Sequence, residues 1–293
     1  MPSTSRLRPI RYAGMPAAAA VLLLALSACA APAAPSKSSS STAVGDYPSA
    51  HIHGIAVEEA SGKIMLATHD GLFDVTSKPA VKIGPTNDLM GFSPTKDEGV
   101  FYASGHPGEG STLPNPVGLI RSSDGGKTWE QLSRQGESDF HAMTLTKSGI
   151  VASDGILRTS PDGKTWNTSA AEFQPAVLAG NPGSATVLAT TEQGLQRSTD
   201  GGRTWQLLGS APVVQFAAFA TTADAIGIEP SGAVHYSSDG GVTWARKGNV
   251  NGEIQAITTA KAADGQLNIW AATGEGVLVS TDGGANFAPY SPS

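Results

Sequence analysis

Ser122-Ser123-Asp124-Gly125-Gly126-Lys127-Thr128-Trp129 is the stretch on which the reading of this 293-residue chain turns. It returns as Ser198-Thr199-Asp200-Gly201-Gly202-Arg203-Thr204-Trp205 and as Ser237-Ser238-Asp239-Gly240-Gly241-Val242-Thr243-Trp244. A shortened copy is Ser160-Pro161-Asp162-Gly163-Lys164-Thr165-Trp166. A decayed copy, Ser280-Thr281-Asp282-Gly283-Gly284-Ala285-Asn286-Phe287, has Phe in place of Trp. The aspartates stand 38, 38, 39 and 43 residues apart. A period near 40 marks a chain built from supersecondary repeats. Each copy reads as a hairpin turn. Ser and Asp side chains accept hydrogen bonds from nearby backbone amides and hold the bend. The glycines supply positive φ without steric cost. The Trp opens the next strand, where a large flat ring fills the gap between layers.

The pattern S-x-D-x-G-x-T-W resembles the Asp-box, or BNR repeat, of sialidase-like and sortilin-like β-propellers. The resemblance implies a structural turn between the third and fourth strands of each blade. Five copies, at Asp124/Trp129, Asp162/Trp166, Asp200/Trp205, Asp239/Trp244 and Asp282, fit a structural role, since one active site has no use for five.

Composition agrees with an all-β chain: 40% hydrophobic residues and 35 glycines, with little sign of long amphipathic helices. The N-terminus is a separate matter. Arg6, Arg8 and Arg11 precede a short apolar run, Ala17 to Leu26, which is the pattern of a signal peptide rather than of a membrane span. The run ends at Leu26-Ser27-Ala28-Cys29, which resembles the bacterial lipobox. That resemblance implies lipidation of Cys29, the single cysteine of the chain, and anchoring to the outer face of the cell membrane. The expected organisation is a signal peptide at 1–28, the lipidated Cys and a disordered Ala/Pro/Ser linker at 29–47, and a six-bladed propeller at 48–293. Of the 19 basic residues, three arginines lie in the first 28 positions with no acid among them. The remainder therefore carries 16 basic against 25 acidic groups. That balance, without a basic stripe, disfavours a nucleic-acid partner. The expected state is a monomer.

Each repeat divides into four short strands, A to D. Blade 1 begins at His51 and lacks an Asp-box. Blades 2 to 6 begin near Asp88, Asp139, Pro175, Val213 and Glu253. No strand exchange between the ends is evident. One insertion, His106 to Val117, separates strands B and C of blade 2, and a long loop on a regular scaffold is a place where function is found.

Propeller geometry puts strand A starts and strand B ends on one face, and the Asp-boxes on the other. Five of the six histidines then gather on one face of three consecutive blades: His51 and His53 in blade 1 with His69, His106 in blade 2, and His141 in blade 3. Asp88, Asp139 and Glu137 belong to that face, with Met90 and Met143 nearby. Such a set suits a transition metal, copper or zinc, with Asp139 orienting an imidazole from behind. His235 falls elsewhere.

Three functional classes remain open. The first is a binding module whose ligand is a metal, a glycan or a protein. The second is a glycoside hydrolase, with Asp88 and Asp139 as candidate catalytic carboxylates and Asp70 and Glu137 on the same face. The third is an interaction scaffold like those of sortilin and of photosystem-assembly propellers. The sialidase-like resemblance does not extend to a sialidase site. That site needs three arginines around a carboxylate, whereas Arg121, Arg158 and Arg197 each precede an Asp-box and Arg203 lies within one.

Overall fold

Strand assignment follows the apolar pattern. Asp88–Pro94 alternates buried and half-buried positions along its whole length, the signature of a strand with one side facing an open space. Lys63–Thr68, Val187–Thr191 and Ala225–Ile228 are instead buried almost throughout, as expected of strands covered on both sides. The structure, a computed structural model, describes residues 46–58 and 60–291. The segment expected to be a signal peptide, Cys29 and nearly all of the expected linker lie outside the described residues.

Six four-stranded antiparallel sheets form a six-bladed β-propeller, each built from four strands consecutive in sequence. Blade 1 comprises Ile52–Glu58, Lys63–Thr68, Gly71–Asp74 and Val81–Ile83. Blade 2 comprises Asp88–Pro94, Phe101–His106, Leu119–Ser122 and Glu130–Ser133. The A strands of blades 3 to 6 are Ala142–Thr146, Val177–Gly180, Phe216–Phe219 and Ile254–Lys261. Strand A lines an axial cavity of about 690 Å³ to which all six blades contribute. The outermost D strands, such as Gln206–Leu207, are exposed.

Apolar clusters fill the spaces between blades. One joins Ile52, Ile64 and Leu66 of blade 1 to Ala256, Ala272 and Val277 of blade 6, with Tyr47 and Tyr290 packed against it. Among the described residues the ring closes there without strand exchange. The Ile52 amide donates to Gln255 Oε1 at 2.8 Å, and the Tyr290 hydroxyl donates to the Thr76 carbonyl at 3.2 Å.

All five Asp-boxes occupy C–D turns. In blade 2 the Ser122 hydroxyl accepts from the Gly126 amide at 2.8 Å and donates to Asp124 Oδ1 at 2.8 Å. The Thr128 amide and hydroxyl both donate to the Asp124 carboxylate, at 3.0 and 2.6 Å. Blades 4 and 5 repeat this pattern through Asp200 and Asp239. Blade 3 achieves it one residue shorter, through Asp162 and Thr165. In the decayed copy Asn286 Nδ2 takes the place of the Thr hydroxyl, donating to Asp282 Oδ2 at 2.8 Å. The tryptophans precede strand D rather than lying within it. Their rings are partly buried against the preceding blade. Trp205 Nε1 donates to Ser169 Oγ at 3.1 Å.

These turns sit beside the A–B turns of their own blades. The amides of Gly125, Gly201 and Gly240 donate to the carbonyls of Gly99, Ala185 and Ala223. Strand A starts and B–C turns are therefore at the other end of each blade, one strand length away.

Candidate metal centre

Strand A starts carry a local irregularity that the sequence pattern did not reveal. In blade 1 the register shifts between Ile52 and Gly54, leaving His53 as an extra residue opposite Ala67 and Thr68. The same kind of bulge lies between Asp88 and Gly91 in blade 2, and between Ile254 and Ala256 in blade 6. A bulge breaks the pleat and re-aims the side chains around it. Here it turns His53 and Asp88 toward the channel mouth. Gly105 is required for this arrangement. Its φ is +141°, and a Cβ there would stand 2.0 Å from the Asp88 carbonyl oxygen. Beyond the bulge, Asp88 pairs across the sheet with His106.

The five histidines of this face divide into two groups around two aspartates. In the first, His53 Nε2 lies 3.3 Å from His69 Nδ1 and 3.8 Å from Asp88 Oδ1, while His69 Nδ1 lies 2.9 Å from Asp88 Oδ1. Among the described residues, His53, His69 and Asp88 are the set that brings three candidate ligand atoms within 4.8 Å of one another. His51 stacks edge-on against His53, with ring centroids 4.9 Å apart, and stands 6.0 Å from His69. In the second group, His106 Nε2 lies 3.1 Å and His141 Nε2 3.3 Å from Asp139 Oδ2.

Electrostatics separate the histidines. Burial, reinforced by the neighbouring His69 and His51, lowers the His53 pKa to about 4, so its imidazole is neutral and its lone pair available. His106 moves the other way. Its hydrogen bond to Asn115 raises its pKa, assisted against burial by Asp139 and Asp88. Both aspartates keep one oxygen, Asp88 Oδ1 and Asp139 Oδ1, buried without an aligned hydrogen-bond donor. Such an atom is costly to leave unsatisfied. It is also what a cation would occupy.

The long blade 2 loop supplies Asn115, a residue that sequence reasoning passed over. Asn115 Oδ1 lies 2.7 Å from His106 Nδ1. Leu113 and Val117 pin the loop to the core between blades 1 and 2. Phe140, flanked by Asp139 and His141, is fully buried, and its amide donates to Ser104 Oγ at 2.9 Å. Phe140 also stacks on Trp166 at 4.8 Å between centroids. One Asp-box tryptophan is thus a single side chain removed from the histidine face, contrary to the expectation that all of them are remote. Met90 and Met143 line the cavity beside His53 and His141.

The remaining carboxylates and arginines are engaged elsewhere. Glu137 lies 3.4 Å from Arg134, and Asp70 stays in an exposed turn, its amide donating to Thr68 Oγ1. Arg158 binds Asp154 at 3.1 Å in the B–C turn of blade 3, so its guanidinium reaches the histidine side rather than the Asp-box side expected for it. Arg197 donates to the Gly240 carbonyl of the next blade. His235 lies 2.7 Å from Glu229 in blade 5.

Comparisons with known proteins agree with the fold. A BNR/Asp-box repeat family model matches residues 196–207. A GH74 xyloglucanase from Xanthomonas campestris superposes with a TM-score of 0.52 at 15% identity, covering 82% of this chain and 45% of that one. Virginiamycin B lyase from Staphylococcus aureus superposes with a TM-score of 0.53 at 13% identity, covering 83% and 85%. No curated protein matches the sequence. The chain thus spans less than half the length of the xyloglucanase it resembles, and at these identities the likeness is one of fold. The fold is a six-bladed β-propeller in which residues 196–207 match a BNR/Asp-box repeat.

Proposed function

We propose that this protein is an extracytoplasmic binding module, held at the membrane by a lipid on Cys29, whose propeller presents a transition-metal site at one mouth of its axial cavity. One observation carries the reading: His53, His69 and Asp88, drawn from blades 1 and 2, bring three ligand atoms together within 4.8 Å. Two imidazoles and a carboxylate are a familiar donor set for divalent ions such as zinc, copper or iron. The neutrality of His53 supports it, because a protonated imidazole does not bind a metal. So does the unsatisfied Asp88 oxygen. A set of three leaves a coordination position for an external ligand.

The test is to titrate zinc and copper into the purified full-length protein and into a His53→Ala/His69→Ala variant. The reading expects micromolar or tighter binding by the parent and at least tenfold weaker binding by the variant. Equal binding by the two contradicts it.

A second reading, a glycoside hydrolase, has one observation in its favour: Asp88 and Asp139, both on the histidine face, each keep a buried oxygen without an aligned hydrogen-bond donor. It expects Asp139→Asn to abolish glycan hydrolysis while removal of His53 and His69 leaves turnover intact.

A further inference from the structure

We infer that the mouth of the propeller holds a second cation position, formed by His106 Nε2, His141 Nε2 and a carboxylate oxygen of Asp139. The inference rests on the reading of this face as a metal-binding one, and extends it from one ion to two.

The argument begins with proton positions. The Asp139 carbonyl oxygen, 3.2 Å from His141 Nδ1, can only accept, so Nδ1 carries the proton and Nε2 of the neutral ring carries a lone pair. Asn115 Oδ1 sets the same tautomer in His106 from 2.7 Å. In the neutral rings both lone pairs then approach one oxygen, Asp139 Oδ2, which is itself an acceptor; at His106, whose pKa is raised, a proton competes with a metal for that position. Three acceptors without a proton among them repel, unless a positive charge sits between them. Carbonyl groups that hold the far nitrogen of an imidazole, and so aim the near one, are the usual support of a metal-bound histidine.

Spacing agrees. Donor atoms around a tetrahedral ion with bonds of about 2.0–2.1 Å stand roughly 3.3 Å apart. The two nitrogens stand 3.1 and 3.3 Å from Asp139 Oδ2. The set is looser than the first, since only His53, His69 and Asp88 fall mutually within 4.8 Å among the described residues. The side chains of His106 and His141 are 43% and 61% exposed, which leaves them room to shift toward a shared ion. Asp139 is only 16% exposed, and its other oxygen is buried without a partner. The carboxylate is therefore the anchored member and the imidazoles are the mobile ones. Asp139 accordingly acts as a ligand in its own right, rather than as the orienting group expected from sequence. The alternative occupant is a proton: a charged imidazole paired with Asp139 also relieves the repulsion, and binds no metal.

Zinc stoichiometry separates these possibilities. The full-length protein, stripped with a chelator and then titrated with zinc, is expected to bind two ions per chain. The His53→Ala/His69→Ala and His106→Ala/His141→Ala variants are each expected to bind one, and Asp139→Asn to match the latter. Circular dichroism and the denaturation midpoint verify that each variant is folded, and His106→Gln/His141→Gln serves if the alanine pair is not. One ion in the parent, kept when His106 and His141 are replaced, overturns the second position and leaves the first standing. One ion lost only with His106 and His141 sustains the second position and overturns the first. One ion lost with either pair shows a single shared centre, and none in the parent shows imidazolium pairing; both overturn the proposal.

Discussion

The two faces of this propeller use the same residue type, aspartate, in opposite ways. On the Asp-box face, each aspartate is surrounded by donors. Asp239 accepts from the Val242 and Thr243 amides and from the Thr243 hydroxyl, and its pKa falls to about 2, with the Thr243 bonds the largest cause. On the histidine face, Asp88 and Asp139 each retain a buried oxygen that no donor satisfies. The first arrangement is complete within the chain and repeats five times. The second, at Asp88 in blade 2 and Asp139 beside blade 3, leaves an acceptor unpaired, which the proposed metal would account for. Recurrence with satisfied hydrogen bonds marks scaffold here, and the unmet acceptors are what the proposed metal site is built on.

The largest test of this contrast is Trp205→Ala. The ring is partly buried against Phe173 and hydrogen-bonded to Ser169, so the loss is expected at about 2–4 kcal/mol of stability, toward the lower side of the range for large-to-small core changes. Denaturant titration measures it, and zinc affinity of the folded fraction should not change. The parallel variant Trp166→Ala is expected to weaken both, because its ring supports Phe140 between Asp139 and His141.

Gly105→Ala is next. A Cβ placed 2.0 Å from the Asp88 carbonyl forces the bulge to move, at a cost of about 1–3 kcal/mol. Unlike Trp205→Ala, it should also reduce zinc affinity, since the same bulge aims Asp88.

A smaller effect is expected at the Asp-boxes themselves. A carboxylate whose folded pKa lies near 2 instead of 3.8 stabilises the fold at neutral pH. That contribution is fully present above the unfolded value and is lost as pH falls from there through about 2. Asp239→Asn should lower stability at pH 7 by less than about 1 kcal/mol, given the exposure of the turn. The difference from the parent should vanish near pH 2, as read from thermal midpoints across an acid series. A deficit that persists at pH 2 would place the effect in packing rather than in charge.

The contrast also explains what the sequence made legible. The period of Asp124, Asp162, Asp200, Asp239 and Asp282 sets the blades, because a turn motif is local and its hydrogen bonds are written in adjacent residues. Strand polarity then puts His51, His53, His69, His106 and His141 on one face. What stayed hidden depends on contacts between distant residues. The bulge at His53 appears only in the pairing with Ala67 and Thr68. The division into two groups follows from which aspartate each ring meets. Asn115 was invisible because its role depends on how a twelve-residue loop folds back over His106.

The central claim, that unmet acceptors on the histidine face form a metal site independent of the scaffold, meets its most direct test in one paired measurement. Zinc affinity and denaturation midpoint are determined together for the full-length protein and for His53→Ala/His69→Ala. The account predicts zinc binding in the micromolar range or tighter for the parent, a loss of at least tenfold in the variant, and a stability loss of no more than about 1–2 kcal/mol, since His53 is largely covered but lies outside the apolar clusters. Equal zinc binding, or a large loss of stability with no loss of zinc, would make these histidines part of the scaffold and contradict it.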